Sequence, residues 1–132
     1  MGKSLRVLLD THALLWWWKD DMRLSKHAAK LIADEDNTVL ISAASAWEIS
    51  TKHRIGKLPG AEHAIHDFNE LIVKDGFTHL AVSFQHAIMA GEFTVDHRDP
   101  FDRMLAAQAT IEGATLITND RGMKLFRVKC AW

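Results

Sequence analysis

Two acids stand just behind apolar runs in this chain. Asp10 directly follows Leu5 to Leu9 (LRVLL), and Asp120 comes after Ala114 to Thr118 (ATLIT) and Asn119. Glu48 lies about one helical turn beyond Thr38 to Ser42 (TVLIS), while Asp99 and Asp102 open the stretch that feeds ATLIT. Carboxylates meeting in one cleft repel: two unit charges about 4 Å apart cost roughly 4 kcal/mol at an effective dielectric near 20. A hard divalent cation removes that cost, and oxygen-only donors select Mg²⁺ or Mn²⁺ over Zn²⁺. The chain has no Cys/His set with zinc spacing. The chemistry such a centre suits is metal-assisted hydrolysis of a phosphodiester.

Each acid also has a quieter reading. Asp10 alone fits a helix cap better than a ligand. Asp99, Pro100 and Asp102 have the spacing of N-cap, first and third helical positions, and for Asp99 capping is the favoured role. Asp120 serves equally well to hold the Asn119 to Gly122 turn. Glu48 can pair with Lys52 at i+4 on an exposed helix face. No single acid is specific; the set, at strand and helix ends of one small chain, is what suggests a site.

The elements that must position these acids alternate along the sequence. Leu5–Leu9, Thr38–Ser42, Thr78–Val82 and Ala114–Thr118 read as strands, with Phe126–Cys130 as a short last one. Between them fall helical stretches: Thr11–Trp18, a stretch opened by a Ser25 cap, and Ala43–Ile55 with Gly56 as its stop. Glu62–Asp75 follows, with Ile65, Phe68, Leu71 and Ile72 on one face and Gly76 closing it. A helix capped by Ser83 runs to about Glu92, and the last runs from Asp99-Pro100 to Gly113. Strands separated by helices predict an α/β fold in three layers, a central mostly parallel sheet of four to five strands flanked by helices. Ligands of such sheets sit outside the carboxyl ends of the strands. Asp10, Asp120 and Glu48 reach that rim by this topology; Asp99 and Asp102 do so only if their helix packs with its N-terminus there.

Composition bounds the rest. With 132 residues, 48% hydrophobic and 25% charged, the chain reads as one domain over residues 1–132 that can fold without disulfide staples. The lone Cys130 forbids an intramolecular disulfide and fits a reducing, cytoplasmic setting. The longest apolar run, Ala13–Trp18, falls far short of the ~20 residues of a membrane span, and Met1 to Ser4 open no signal-peptide core. A formal net charge of −1 excludes a globally basic nucleic-acid binder but allows a local basic patch.

Four blocks, LLDTHALLWW, SAASAWEISTKHRIGKL, HRDPFDRMLAAQA and ATLITND, together resemble PIN-domain proteins in the order in which they occur. More narrowly they are similar to the VapC-type toxins of bacterial type II toxin–antitoxin pairs. The likeness runs from Leu5 to Phe126, and HRDPFDR is its most specific block. It implies a parallel sheet flanked by helices and a Mg²⁺- or Mn²⁺-dependent endoribonuclease. It also implies a cognate small antitoxin and a homodimer. Carried across, the catalytic and metal-holding acids are Asp10, Glu48, Asp102 and Asp120, supported by Thr11, Thr118 and Asp99.

Arg103 is expected either to contact phosphate or to pair with a neighbouring acid. Lys52, Arg54 and Lys57 form a basic cluster that either tracks an RNA backbone or is a solvated helix end. For His97 a hydrogen bond at the helix entry is favoured over catalysis. Successive residues of Trp16-Trp17-Trp18 are rotated about 100° apart on a helix, so at least one leaves the core and is open to a partner chain. Trp47 is expected to pack under Glu48, Cys130 to be a small buried residue, and Trp132 has no assigned role. Two rival activities fail on the residues. A receiver-type phosphoacceptor needs paired acids where Asp10-Thr11 stands and a Lys where Asp120 stands, and a DxD phosphatase needs an acid where His12 stands. A non-catalytic PIN-like binding module and a housekeeping RNA-processing nuclease remain as alternatives.

Overall fold

A computed structural model describes residues 4–132; the expectation about the first residues, Met1 to Lys3, lies outside them. Five strands form one sheet: β1 (Arg6–Leu9), β2 (Thr38–Ser42), β3 (Thr78–Leu80), β4 (Thr115–Ile117) and β5 (Cys130–Ala131). Every pairing is parallel and the order is β3-β2-β1-β4-β5. The apolar run of β1 is therefore central: Leu8 sits in register between Leu40 of β2 and Leu116 of β4. A parallel strand covered on both faces needs such a continuous run. The expected three-layer α/β fold is the observed one.

The pleat of the sheet sorts the core into two layers. Val7, Leu9, Val39, Ile41 and Ile117 point to one face and pack with Leu14, Ala28 and Ile72. Leu8, Leu40 and Leu116 point to the other and pack with Leu105, Ala106 and Ala109. The flanking helices are α1 (Thr11–Trp18), α2 (Lys26–Ala33), α3 (Ala43–Arg54), α4 (Glu62–His66), α5 (Phe68–Lys74), α6 (Phe84–Glu92) and α7 (Pro100–Glu112), and the partners just named come from α1, α2, α5 and α7. The end of α7 is set by Gly113, whose φ of 63° lies in the left-handed region where a Cβ is penalised. Among the described residues, no helix is long and apolar enough to cross a membrane.

Three boundaries differ from the sequence expectation. The stretch Glu62–Asp75 is two helices, because Asp67 ends α4 and begins α5 while its carboxylate contacts His63 at 3.2 Å. That carboxylate is spent on the His63 side chain and caps neither helix. The third strand stops at Leu80, pairing only with the last residues of β2. Near the C-terminus, Arg121–Phe126 is a 3-10 helix, and Arg127 turns the chain with φ 59°, so the last strand starts only at Cys130.

The chain leaves β1 first toward β2 and β3, and later returns to the other side of β1 through β4. The carboxyl ends of β1 and β4 therefore flank the point where the strand order reverses, the place where open α/β sheets form a crevice.

Candidate active site

A cavity of about 180 Å³ opens at that crevice, lined by Asp10, Thr11, His12, Glu48, Lys52, Asp99, Asp102 and Asp120. All four acids expected to act together line it, and so does Asp99. Asp10 leaves β1, Asp120 follows β4, Glu48 projects from α3, and Asp99 and Asp102 stand at the N-terminus of α7. A larger groove of about 480 Å³, walled by Trp47, Val82, Phe101 and Met104, is apolar and lies apart from this chemistry.

Capping and clustering turn out not to be alternatives. Asp10 Oδ1 accepts the Ala13 N–H at 2.8 Å and caps α1. Asp99 Oδ1 accepts the N–H groups of Phe101 and Asp102, at 2.9 and 3.2 Å, and caps α7. Asp120 Oδ1 accepts the Gly122 N–H at 2.8 Å. Each bond uses one oxygen of a carboxylate that has two. Among the described residues, Asp99 and Asp120 leave the second oxygen without a protein donor. Gly122 is also a tight spot: a Cβ there would lie 3.1 Å from Asp120 Oδ1.

Glu48 is held differently. It is buried, Oε1 accepts the Thr11 hydroxyl at 2.6 Å, and Oε2 is ion-paired with Lys52. The Thr11 hydroxyl also lies 3.1 Å from Ser45 Oγ. The expected i+4 partner is present, but on a buried face. Lys52 therefore leaves the basic cluster and enters the acidic cavity, while Arg54 and Lys57 stay exposed. Thr118 is buried beside these acids, and its hydroxyl receives the Asp120 N–H at 3.1 Å.

The electrostatics reflect this crowding. Burial pushes the Asp10 carboxyl above its ordinary range, against the opposing hydrogen bonds from Thr118 and Ala13. Burial also raises Asp102, with Asp99 and Asp120 adding to it and His97 opposing. Burial by itself would lower the Lys52 ammonium, but the Glu48 hydrogen bond and charge, with Asp99 and Asp102, raise it. Anions held above their usual pKa beside unspent oxygens suit a divalent cation. Among the described residues, His97, Asp102 and Asp120 bring one ligand atom each within 4.8 Å of the others.

Two expectations need correction. Arg103 neither faces the cavity nor pairs with an acid: its Nε donates to the Ala90 carbonyl at 2.8 Å, and its other nitrogens donate to the carbonyls of Gly91, Phe93, Val95 and His97. Trp47 does not lie under Glu48: it is 63% exposed and sits edge-on to Phe101 at 4.9 Å, because adjacent helical residues point about 100° apart. Trp17 and Trp18 pack against the core, whereas Trp16 turns aside to meet His12, Trp132 and the Arg23 guanidinium. The sequence reading missed His12 and Lys52 as cavity residues. Their only signals were nearness to Asp10 and the i+4 spacing from Glu48. His97 does make a helix-entry bond, but to the Asp102 side chain at 2.9 Å.

The PIN domain profile matches residues 7–129. The chain belongs to the PIN domain family. This PIN domain is 38% identical over 56 residues to ribonuclease VapC16 of Mycobacterium tuberculosis, a match covering 42% of this chain and 40% of that relative. Among solved structures it is similar to VapBC2 from Rickettsia felis bound to a promoter DNA fragment, with a TM-score of 0.69 at 18% identity, covering 96% of this chain and 98% of that one. FitAcB from Neisseria gonorrhoeae matches with a TM-score of 0.60 at 17% identity, over 94% and 95% of the two chains. At such identities the structural likeness of this PIN domain to its neighbours is one of fold.

Proposed function

We propose that this PIN domain is a Mg²⁺- or Mn²⁺-dependent endoribonuclease and the toxin of a type II toxin–antitoxin pair. The observation that carries the reading is the convergence of Asp10, Glu48, Asp102 and Asp120, from four separate segments, on one rim cavity of a PIN fold. The partial likeness to a named ribonuclease supports RNA as the substrate. In this reading Asp10, Asp102 and Asp120 hold the cation. A divalent ion there supplies charge stabilisation for in-line displacement at phosphorus.

The chain's own groups do the rest. Asp99, Thr118 and the α1 cap keep the carboxylates in place. Lys52 offers its ammonium to a phosphate oxygen. Glu48, relieved of that partner, would accept a proton from the attacking water as the new P–O bond forms; the P–O3′ bond breaks, and the departing oxygen takes a proton from solvent, giving a 5′-phosphate and a 3′-hydroxyl. A small antitoxin and a second copy of the chain belong to the same reading. Phe84, Ile88 and Trp47 are exposed, an amount of apolar surface that a partner would cover.

The test is cleavage of a cellular RNA pool by purified protein with Mn²⁺ or Mg²⁺, with EDTA, and with Asp10→Asn. Discrete fragments that need both metal and Asp10 are expected. Cutting by Asp10→Asn at the wild-type rate would overturn the site assignment. No cleavage together with no metal binding would favour the binding-module reading. Growth arrest on expression, lost in Asp10→Asn, tests the toxin role.

A further inference from the structure

His97 is not among the residues that line the cavity, yet its Nε2 lies 2.9 Å from Asp102 Oδ2. The ring packs against that carboxylate and is held on several sides. It meets Phe126 edge-on at 5.2 Å. Its Cε1 and Nδ1 lie 3.2 and 3.3 Å from where a Cβ on Gly122 would stand, so the absence of a side chain there leaves room for the ring. Its own carbonyl accepts Arg103 Nη1 at 2.9 Å, and its N–H bonds the Val95 carbonyl at 3.0 Å. Arg103 lies one residue after Asp102 on α7, so a single helical turn carries both the carboxylate and the guanidinium that fixes the partner of that carboxylate.

We propose that His97 is a positioning residue that acts through Asp102: the imidazole N–H pins one carboxylate oxygen, so that the other faces the cavity. This rests on the metal-dependent reading above and adds a residue to it. A rotating carboxylate has two equivalent oxygens to place; a fixed donor on one of them selects a single orientation before a cation arrives. Partners of this kind, one bond removed from the ion, typically change metal affinity about tenfold to a hundredfold when removed. The imidazole Nε2 and a glutamine amide nitrogen sit at similar reach from the backbone, so glutamine can supply the same donor.

The experiment is Mn²⁺ titration by calorimetry of wild type, His97→Ala, His97→Gln and Asp102→Asn, with metal-free melting curves of each. Wild type should bind, and Asp102→Asn should lose binding. His97→Ala should bind about tenfold to a hundredfold more weakly while melting close to wild type without metal, and His97→Gln should recover most of the affinity. If His97→Ala does not fold, His97→Gln against wild type carries the comparison. Wild-type affinity in His97→Ala overturns the proposal, as does a His97→Gln protein that folds but binds weakly. A nitrogen coupling from a directly ligated imidazole in the spin-echo spectrum of the wild-type Mn²⁺ complex also overturns it. A wild type that binds no Mn²⁺ overturns the metal reading itself, which is distinguishable from an intact site that ignores His97.

Discussion

Asp10 caps α1 through one oxygen and faces four other carboxylates with the rest of its charge. Those demands conflict. Asp10 and Asp102 both bind protons more tightly in the folded chain than at the ordinary value of 3.8. Their contribution to stability is therefore fully present below about pH 3.8 and is lost as pH rises through their raised values. Asparagine keeps the capping oxygen and removes the charge. Asp10→Asn should therefore melt at or above the wild-type temperature at neutral pH in EDTA, and the difference should shrink toward pH 4. Melting curves across that range check it; a neutral-pH loss of stability that persists at pH 4 would count against buried charge as the cause. Mn²⁺ should raise the wild-type melting temperature and leave Asp10→Asn unmoved. Cleavage should fall by about a hundredfold or more, the scale of losing one transition-state-stabilising group.

At the scale of elements, the N-terminus of α7 depends on the segment before it. Asp99 and Pro100 were legible as a helix start because capping is local chemistry, set by spacing along the chain. The role of Arg103 was not legible, since the carbonyls of Ala90, Gly91, Phe93, Val95 and His97 meet it only after the chain folds around α7. Lysine keeps the charge but lacks the planar fork needed to bridge several carbonyls. Arg103→Lys should cost about 2 kcal/mol or more, since bonds to a charged donor are the stronger ones. It should also weaken Mn²⁺ binding by releasing His97. Denaturant unfolding and calorimetry on the same sample check both, and loss of stability with unchanged affinity would confine Arg103 to the scaffold. The break at Asp67 is a smaller case of the same rule. The apolar spacing of Ile65, Phe68, Leu71 and Ile72 persists across it, so periodicity alone could not show two helices.

Across the whole molecule, the two core layers and the single charged rim are separate constructions. Ile72 of α5 is fully buried in the layer opposite α7, and α5 supplies no residue to the cavity. Ile72→Ala should lower stability by about 2–5 kcal/mol, as buried large-to-small changes do, while the folded protein keeps its Mn²⁺ affinity. Urea unfolding followed by fluorescence, with calorimetry below the transition, checks this. A matching collapse of affinity would mean that rim and core are not separable. The strand order puts the crevice where it is: β1 lies between β2 and β4, so Asp10 and Asp120 emerge side by side although far apart in sequence.

The sequence by itself determined the class of fold, most strand and helix positions and the capping residues. These follow from periodicity, local hydrogen bonding and charge, which act over a few residues; the choice of Asp10, Glu48, Asp102 and Asp120 as a set came from the resemblance to PIN-domain proteins. Only the tertiary structure decided that α7 presents its N-terminus to the rim, that Lys52 turns inward to Glu48, and that His97 backs Asp102. It also decided that Trp16, rather than Trp17 or Trp18, leaves the core, and that Trp47 turns away from Glu48 to Phe101. Those outcomes depend on which surfaces meet across the sheet, and contact between segments distant in sequence is fixed by packing, not by spacing along the chain.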